Sequence, residues 1–244
     1  MGMPVTVDVR DPNASAGALD DVYADLVRTD RLFSPFLPES EISRIRDGRL
    51  AVAEAGPLVH EVLELCRVFE RDTDGYFSAW HEGKLDPSGL VKGWAIARGA
   101  AILDSRGYRD YFIDAGGDVM TRGHSGPGAA WRVGIRHPVE RDKVVRVILA
   151  SDLAVATSGT YEKGSHIYDP HTGAPTTELL SVTVVGPRMV ETDVYATAAF
   201  AMGLAGLEFI EGRAGYEAYA IDKELRGHWT TGFDNYCEQV SGRV

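Results

Sequence analysis

Apolar and polar residues alternate with a period of two over residues 3–9, MPVTVDV, and the β-branched content of that stretch predicts a strand. The period then changes. Over residues 15–31, Ala18, Val22, Leu26 and Val27 fall on one helical face, with Ser15 placed to cap the N-terminus. From Phe33 to Ile45 the chain holds Pro35 and Pro38 and reads as a loop, in which Ser40 offers the cap of a short helix with Ile42 and Ile45 as its apolar face. Gly56 to Arg71 carries a strong amphipathic pattern with Pro57 in its first turn. Residues 74–89 are rich in turn formers (Gly75, Gly83, Pro87, Gly89), and helical periodicity returns from Leu90 to Leu103.

The second half is richer in strands. Residues 111–123, YFIDAGGDVMTRG, read as strand, tight turn, strand; residues 131–138, 144–159 and 181–187 read as further strands. Thr192 to Ile210 predicts one long helix, and residues 216–233 two short strands. No repeat of fixed period, low-complexity stretch or linker divides the chain, so residues 1–244 are read as a single domain. Strands and helices do not alternate as strict β-α-β units. That favours an α+β fold with a mostly antiparallel β-sheet core and flanking helices over a doubly wound sheet.

Composition adds bounds. Hydrophobic residues make up 44% and charged residues 25%, enough for a substantial core. Lys and Arg total 25 against 36 Asp and Glu, a net charge of −11. That balance opposes nucleic-acid binding and attraction to an anionic membrane. Cys66 lies in the apolar-periodic run Leu58–Phe69, Cys237 stands alone, and neither belongs to a zinc-type spacing; two such thiols fit a reducing compartment. The N-terminus shows no charged region followed by an apolar one and no lipid-attachment cysteine, and no run of 18 apolar residues occurs. The expectation is a cytoplasmic protein without a transmembrane segment, peripheral to a membrane or exported only if the chain was trimmed.

Five segments concentrate Gly, Asp, hydroxyl and His residues inside otherwise apolar surroundings. In the first, Leu85 to Trp94, the glycines Gly89 and Gly93 allow close backbone approach near a helix N-terminus, a geometry that suits a phosphate; Lys92 adds a point charge, and Asp86 either accepts a bond from a ligand or caps the helix. The second, Asp114-Ala115-Gly116-Gly117-Asp118, is either a plain hairpin turn or a backbone-rich wall for a flat ligand. The third and densest runs from Thr157 through Ser158 and His166-Ile167-Tyr168-Asp169 to Gly173; His166 or Asp169 there can serve as a base or polar orienter, unless the block is a polar surface loop. In the fourth, Asp193 and Thr197 share one helix face at i and i+4 and present oxygens to a hard cation such as Mg²⁺; the alternative is a helix cap and a back-bonded threonine. The fifth, Phe33 to Arg44, offers Phe36 to stack on a flat ring or to pack on its own domain.

Taken in order, these segments resemble the FAD:protein FMN transferase family, also called ApbE-like. The correspondence runs through Met1-Gly2-Met3, Ser34-Pro35-Phe36…Ser40-Glu41, Asp86…Lys92-Gly93, Gly116-Gly117-Asp118, Thr157-Ser158-Gly159, His166-Ile167-Tyr168-Asp169-Pro170-His171-Thr172-Gly173 and Asp193…Thr197. It extends from residue 1 to about 203, and the block from His166 to Gly173 is its most specific part.

The resemblance implies a T-fold-like domain and a set of roles. Asp193 and Thr197 would be side-chain ligands of Mg²⁺, with Gly89 giving a backbone carbonyl. Met1, Phe36, Trp80, Asp86, Lys92, Gly116, Gly117, Asp118, Ser158 and Ile167 would contact or wall the FAD. His166, with Asp169, would serve in catalysis. The implied reaction is Mg²⁺-dependent transfer of FMN from FAD to a Thr or Ser hydroxyl of an acceptor protein, with release of AMP. Mg²⁺-dependent hydrolysis of FAD and non-catalytic FAD storage are the alternatives. The chain departs from the family pattern at Phe36, where tyrosine is usual, at His171, where arginine is common, and at Met3, which replaces a common threonine. The family's frequent lipoprotein signal has no counterpart here.

Overall fold

The computed structural model describes residues 2–81, 83–140, 142–160, 168–173 and 175–238. In chain order its first half comprises β1 (Val5–Val9), α1 (Ala16–Phe33), α2 (Glu41–Arg46), α3 (Pro57–Asp72), β2 (Trp80–His81), β3 (Lys84–Leu85), α4 (Ser88–Ser105), β4 (Tyr111–Ala115) and β5 (Asp118–Arg122). The second half comprises β6 (Trp131–Arg136), β7 (Val144–Ala150), β8 (Ala154–Gly159), β9 (Leu179–Gly186), α5 (Met189–Ala201), α6 (Ala205–Glu211), β10 (Glu217–Asp222) and β11 (Gly227–Trp229). Among the described residues, seven strands form one sheet in the order β1-β4-β5-β8-β9-β10-β11, and every neighbouring pair is antiparallel. The fold is α+β, as the mixture of periods predicts.

The period of two in each strand sorts side chains between two cores. On β8, β9 and β10, residues Ala154, Ala156, Val182, Val184, Ala218 and Ala220 join the core beneath the helices. Their neighbours Val155, Val185, Tyr219 and Ile221 join a smaller core shared with Trp131, Ile135 and Ile148 of the β6–β7 hairpin. Alanines on the helical side keep the sheet surface low, so α5 lies close against it. That helix is buried almost all round, through Val194, Ala196, Ala198, Ala199 and Phe200. A carboxylate and hydroxyls on such a helix stand out.

Local signals account for the termini. Ser40 Oγ accepts the Ser43 N–H at 3.0 Å, the capping bond expected of it. Ser15 occupies the N-cap position of α1, but its Oγ pairs with the Tyr108 hydroxyl at 3.3 Å instead of capping. Ala18, Val22 and Leu26 of α1 are buried; Val27 is half exposed, because Thr29 and Phe33 continue the buried stripe in its place. Helix α4 begins at Ser88, ahead of Leu90, because Asp86 Oδ1 accepts the Ser88 N–H at 3.0 Å. Within the turn-rich stretch before it, β2 and β3 form a short ladder.

One expectation fails. Residues 192–210 do not form a single helix: α5 starts at Met189 and ends at Ala201, and α6 follows separately. Gly203 has φ +67°, outside helical geometry, and a Cβ there would collide with Glu178 Oε2. Glu178 Oε2 instead accepts the Leu204 N–H at 3.1 Å, and so seals the break. Among the described residues no helix is long and apolar enough to cross a membrane.

Candidate functional site

Helices α4 and α5 pack side by side, and glycine makes the approach possible. A Cβ on Gly93 would lie 2.8 Å from Asp193 Cβ and 3.0 Å from the Met189 carbonyl oxygen. One turn earlier, a Cβ on Gly89 would lie 3.2 Å from the Phe77 ring and 3.9 Å from Thr197 Cγ2. Gly89 and Gly93 of one helix therefore face Asp193 and Thr197 of the other, each pair spaced by one turn.

Asp193 is 2% exposed and Asp118 is 1% exposed. Between them lies the Lys92 ammonium, with Nζ 2.6 Å from Asp118 Oδ2 and 3.4 Å from Asp193 Oδ1. The other oxygens are also engaged. Asp193 Oδ2 accepts the Gly93 N–H at 2.7 Å, and Asp118 Oδ1 accepts the Thr157 N–H at 3.1 Å. Ser158 Oγ lies 3.4 Å from Thr197 Oγ1, whereas the Thr157 and Thr183 hydroxyls pair at 2.8 Å on the other face of the sheet. Thus β5, β8, α4 and α5 each contribute to one polar cluster, with buried acids at its base and half-buried Gly89, Ser158 and Thr197 above them.

The electrostatics favour a cation. Two carboxylates share one ammonium, so the ionised cluster holds one negative charge in excess, and an unbalanced buried charge is strained. Burial accordingly raises the Asp193 pKa well above the carboxylate range; the nearby Asp118 charge adds to this, and Lys92 opposes it. A proton or a metal ion relieves the excess. The Gly93 amide, one turn on from Gly89, donates to Asp193 and fixes that carboxylate beside α4. Among the described residues no group of three or more His, Cys, Asp or Glu side chains is placed to hold an ion. Asp193, the Thr197 hydroxyl and the Gly89 carbonyl are a set of hard oxygens, and this fits Mg²⁺, which keeps several sites for water and phosphate.

The remaining candidates surround this cluster or lie apart from it. Gly116 (φ +63°) and Gly117 (φ +93°) make the two-residue turn between β4 and β5, where Ala115 pairs with Asp118. Positive φ at both positions is the requirement of a type I′ hairpin, so both glycines have a backbone reason to be there. The turn delivers Asp118 to the cluster, and Met3 packs against Gly116. Asp86, just ahead of α4, accepts the Ser88 N–H.

Phe36 is 88% exposed. Its loop is tied down, because the Ser34 carbonyl accepts both the Ser40 hydroxyl at 2.7 Å and the Leu37 N–H at 3.4 Å. Trp80, 51% exposed, is a second aromatic surface. Asp169 has both carboxylate oxygens in its own turn: Oδ1 accepts the His171 N–H and Oδ2 the Thr172 hydroxyl, each at 2.9 Å. The first of these bonds does most to hold its pKa below the usual carboxylate range. His171 packs edge-on against Tyr76, ring centroids 4.5 Å apart. Met1, His166 and Ile167 lie outside the described residues.

Sequence reasoning singled out the members of the cluster but not its wiring. It treated Lys92 as a ligand-facing charge, whereas the ammonium sits between two buried acids.

Comparison with known proteins bears on the family and the fold. The sequence model of the ApbE family matches residues 1–81 and 79–220. A FAD:protein FMN transferase of Klebsiella pneumoniae (strain 342) is 32% identical over 156 residues, which cover 60% of this chain and 45% of that protein. One of Escherichia coli (strain K12) is 31% identical over 150 residues, 57% of this chain and 43% of that protein. The chain thus spans less than half the length of these curated relatives. The solved flavin transferase ApbE of Vibrio cholerae superposes with a TM-score of 0.82 at 22% identity, covering 97% of this chain and 96% of that one. An ApbE protein of Thermotoga maritima gives 0.83 at 22% identity, over 98% and 97%. At that identity the superpositions speak for the fold.

Proposed function

The chain belongs to the ApbE family, and from that premise we propose that it transfers the FMN half of FAD to a Thr or Ser hydroxyl of an acceptor protein, releasing AMP, with residues 1–244 acting as one catalytic domain. The observation that carries this reading is the buried Lys92–Asp118–Asp193 cluster with Thr197 and Gly89 one turn along.

In this reading Asp193, Thr197 and the Gly89 carbonyl hold Mg²⁺. The bound ion would neutralise charge on the pyrophosphate and polarise the phosphorus under attack. The chain's own part is mainly positioning and electrostatics, as in phosphoryl transfer generally. Ser158 and the Gly116–Gly117 turn wall the site, and the exposed faces of Phe36 and Trp80 receive the flavin. The hydroxyl oxygen of the acceptor forms a bond to the FMN phosphorus. The bond from that phosphorus to the bridging oxygen breaks, AMP leaves with that oxygen, and the hydroxyl proton passes to a base. His166 is the candidate base. Asp169 is committed to its own turn with His171 and Thr172.

The test is incubation with FAD, Mg²⁺ and a peptide carrying an Asp-Gly-x-x-Thr-type site, followed by mass spectrometry. A gain equal to FMN that disappears in Asp193→Ala is the expected result. AMP and FMN in solution without modified peptide would replace transfer with hydrolysis. Bound FAD with no turnover in either assay would leave a storage protein.

A further inference from the structure

Asp118 and Asp193 are both buried carboxylates beside the same ammonium, but they do not share it equally. Lys92 Nζ is 2.6 Å from Asp118 Oδ2 and 3.4 Å from Asp193 Oδ1. Both contacts are ion pairs, and the shorter one to Asp118 is the stronger attraction at this burial. Asp118 is held in place for this. The two-glycine turn fixes the start of β5, and the Thr157 N–H on β8 takes its second oxygen at 3.1 Å. The Lys92 side chain is itself mostly buried, 19% exposed, so its ammonium depends on these acids for its counter-charge.

We propose that Asp118 is a positioning residue that draws the Lys92 ammonium away from Asp193 and so leaves the Asp193 carboxylate available to a metal cation. This rests on the reading of Asp193 as a metal ligand. A lysine paired fully with Asp193 would compete with the cation for the same oxygen. Removing the lysine altogether would leave two buried acids with no counter-charge. Asp118 permits both states: the cluster keeps its ammonium, and that ammonium stays the more distant from Asp193 Oδ1. It also assigns Asp118 to the support of the metal site, where the family resemblance alone places it among FAD contacts.

The test is a Mn²⁺ titration of the full chain with FAD present and no acceptor, with free Mn²⁺ read by electron paramagnetic resonance. Folding of each variant is checked by circular dichroism. Loss of a residue that orients a metal ligand typically weakens affinity by about 10–100-fold. Asp118→Asn keeps the shape and the Thr157 bond, and is expected to weaken Mn²⁺ binding by about ten-fold or more. The double variant Asp118→Asn with Lys92→Met is expected to regain most of that loss, because the competing ammonium is gone. A merely structural role for Asp118 predicts no such rescue. Lys92→Met alone, which serves if Asp118→Asn does not fold, is expected to bind Mn²⁺ at least as tightly as the wild type.

Unchanged Mn²⁺ affinity in Asp118→Asn, a double variant no better than the single one, or weaker binding in folded Lys92→Met would each overturn the proposal. Weaker FAD binding with unaltered Mn²⁺ affinity in Asp118→Asn would overturn it in favour of a direct FAD contact. Asp193→Ala separates the two levels. If it abolishes Mn²⁺ binding while Asp118→Asn does not alter it, the metal site stands and this inference falls. If Asp193→Ala binds as the wild type does, both fall.

Discussion

The close approach of α4 and α5 makes Gly93→Ala the most informative single change. The added methyl would meet Asp193 Cβ at 2.8 Å, Asp193 Oδ2 at 3.0 Å and the Met189 carbonyl oxygen at 3.0 Å. None of these is the free end of a flexible chain, so the helices must separate or Asp193 must turn away. Overpacking of this kind destabilises by about 1–3 kcal/mol. Loss of the Gly93 N–H bond to the Asp193 carboxylate removes about 1.5–3 kcal/mol more. Against these, alanine is better than glycine inside a helix by about 1 kcal/mol. The net is a loss of about 1.5–5 kcal/mol, and for a chain of this size that corresponds to a fall in Tm of about 3–20 °C.

Gly17 is the matched control. It lies in α1 with nothing within 4 Å of where its Cβ would stand, and its φ is not positive. Gly17→Ala is therefore expected to be neutral or to stabilise by up to about 1 kcal/mol. Thermal unfolding of the two variants beside the wild type gives the comparison. The Mg²⁺ dependence of AMP release should shift to higher concentration in Gly93→Ala alone. Equal Tm values for the two variants, or a Gly93→Ala protein with wild-type Mg²⁺ dependence, would refute the close contact and with it the geometry assigned to Asp193.

Three further outcomes are expected. Phe36→Ala, at a fully solvated ring, should leave stability within about 0.5 kcal/mol of wild type while raising the KM for FAD about two- to ten-fold if the ring stacks on flavin; an unchanged KM removes Phe36 from the site. Tyr195→Phe deletes the 2.8 Å bond from its hydroxyl to Asp72 Oδ2. Asp72 keeps its partner Arg213 at 2.7 Å, so urea unfolding should show a loss of about 1–2 kcal/mol, and a larger loss would mean that Arg213 alone does not hold Asp72. Burial pushes the Cys66 thiol up to about 12, so at pH 8 it should resist a disulfide reagent in the folded protein and react once unfolded. The folded state retains a proton that the unfolded chain releases near 9. Its contribution to stability is therefore complete below about pH 9 and declines as pH rises toward 12. Denaturation midpoints from pH 8 to 10.5 should fall more steeply for the wild type than for Cys66→Ala.

The fold was legible where one face of an element is buried. The alternation in residues 3–9 and 111–123 and the stripe through α3 each depend on short-range spacing, and each appears in the structure where the pattern places it. The break after α5 was not legible. Ala201 to Leu207 is apolar enough to continue a helix; what stops it is Gly203 in the left-handed region, sealed by Glu178 from a distant strand end. A pattern read along one stretch of chain carries no record of that partner.

The same distinction applies to the site. Asp193 and Thr197 were readable as a pair because the spacing of one helix joins them. Lys92, Asp118 and Asp193 were not readable as a triad, because Gly93 and Asp193 alone are 100 residues apart and only the packing of α4 on α5 brings them together. Gly93 connects the two levels. In sequence it looked like a glycine placed for a ligand's backbone contact. In the structure it is what lets the second helix approach, and its bare amide is the donor that orients Asp193. A glycine beside a lysine in a helix is weak evidence of binding by itself. It becomes specific when the facing helix presents an acid at the contact point and an oxygen one turn on. The requirement is strict at Gly93, where a Cβ would lie 2.8 Å from Asp193 Cβ; at Gly89 the tight neighbour is the Phe77 ring at 3.2 Å, with Thr197 at an ordinary 3.9 Å.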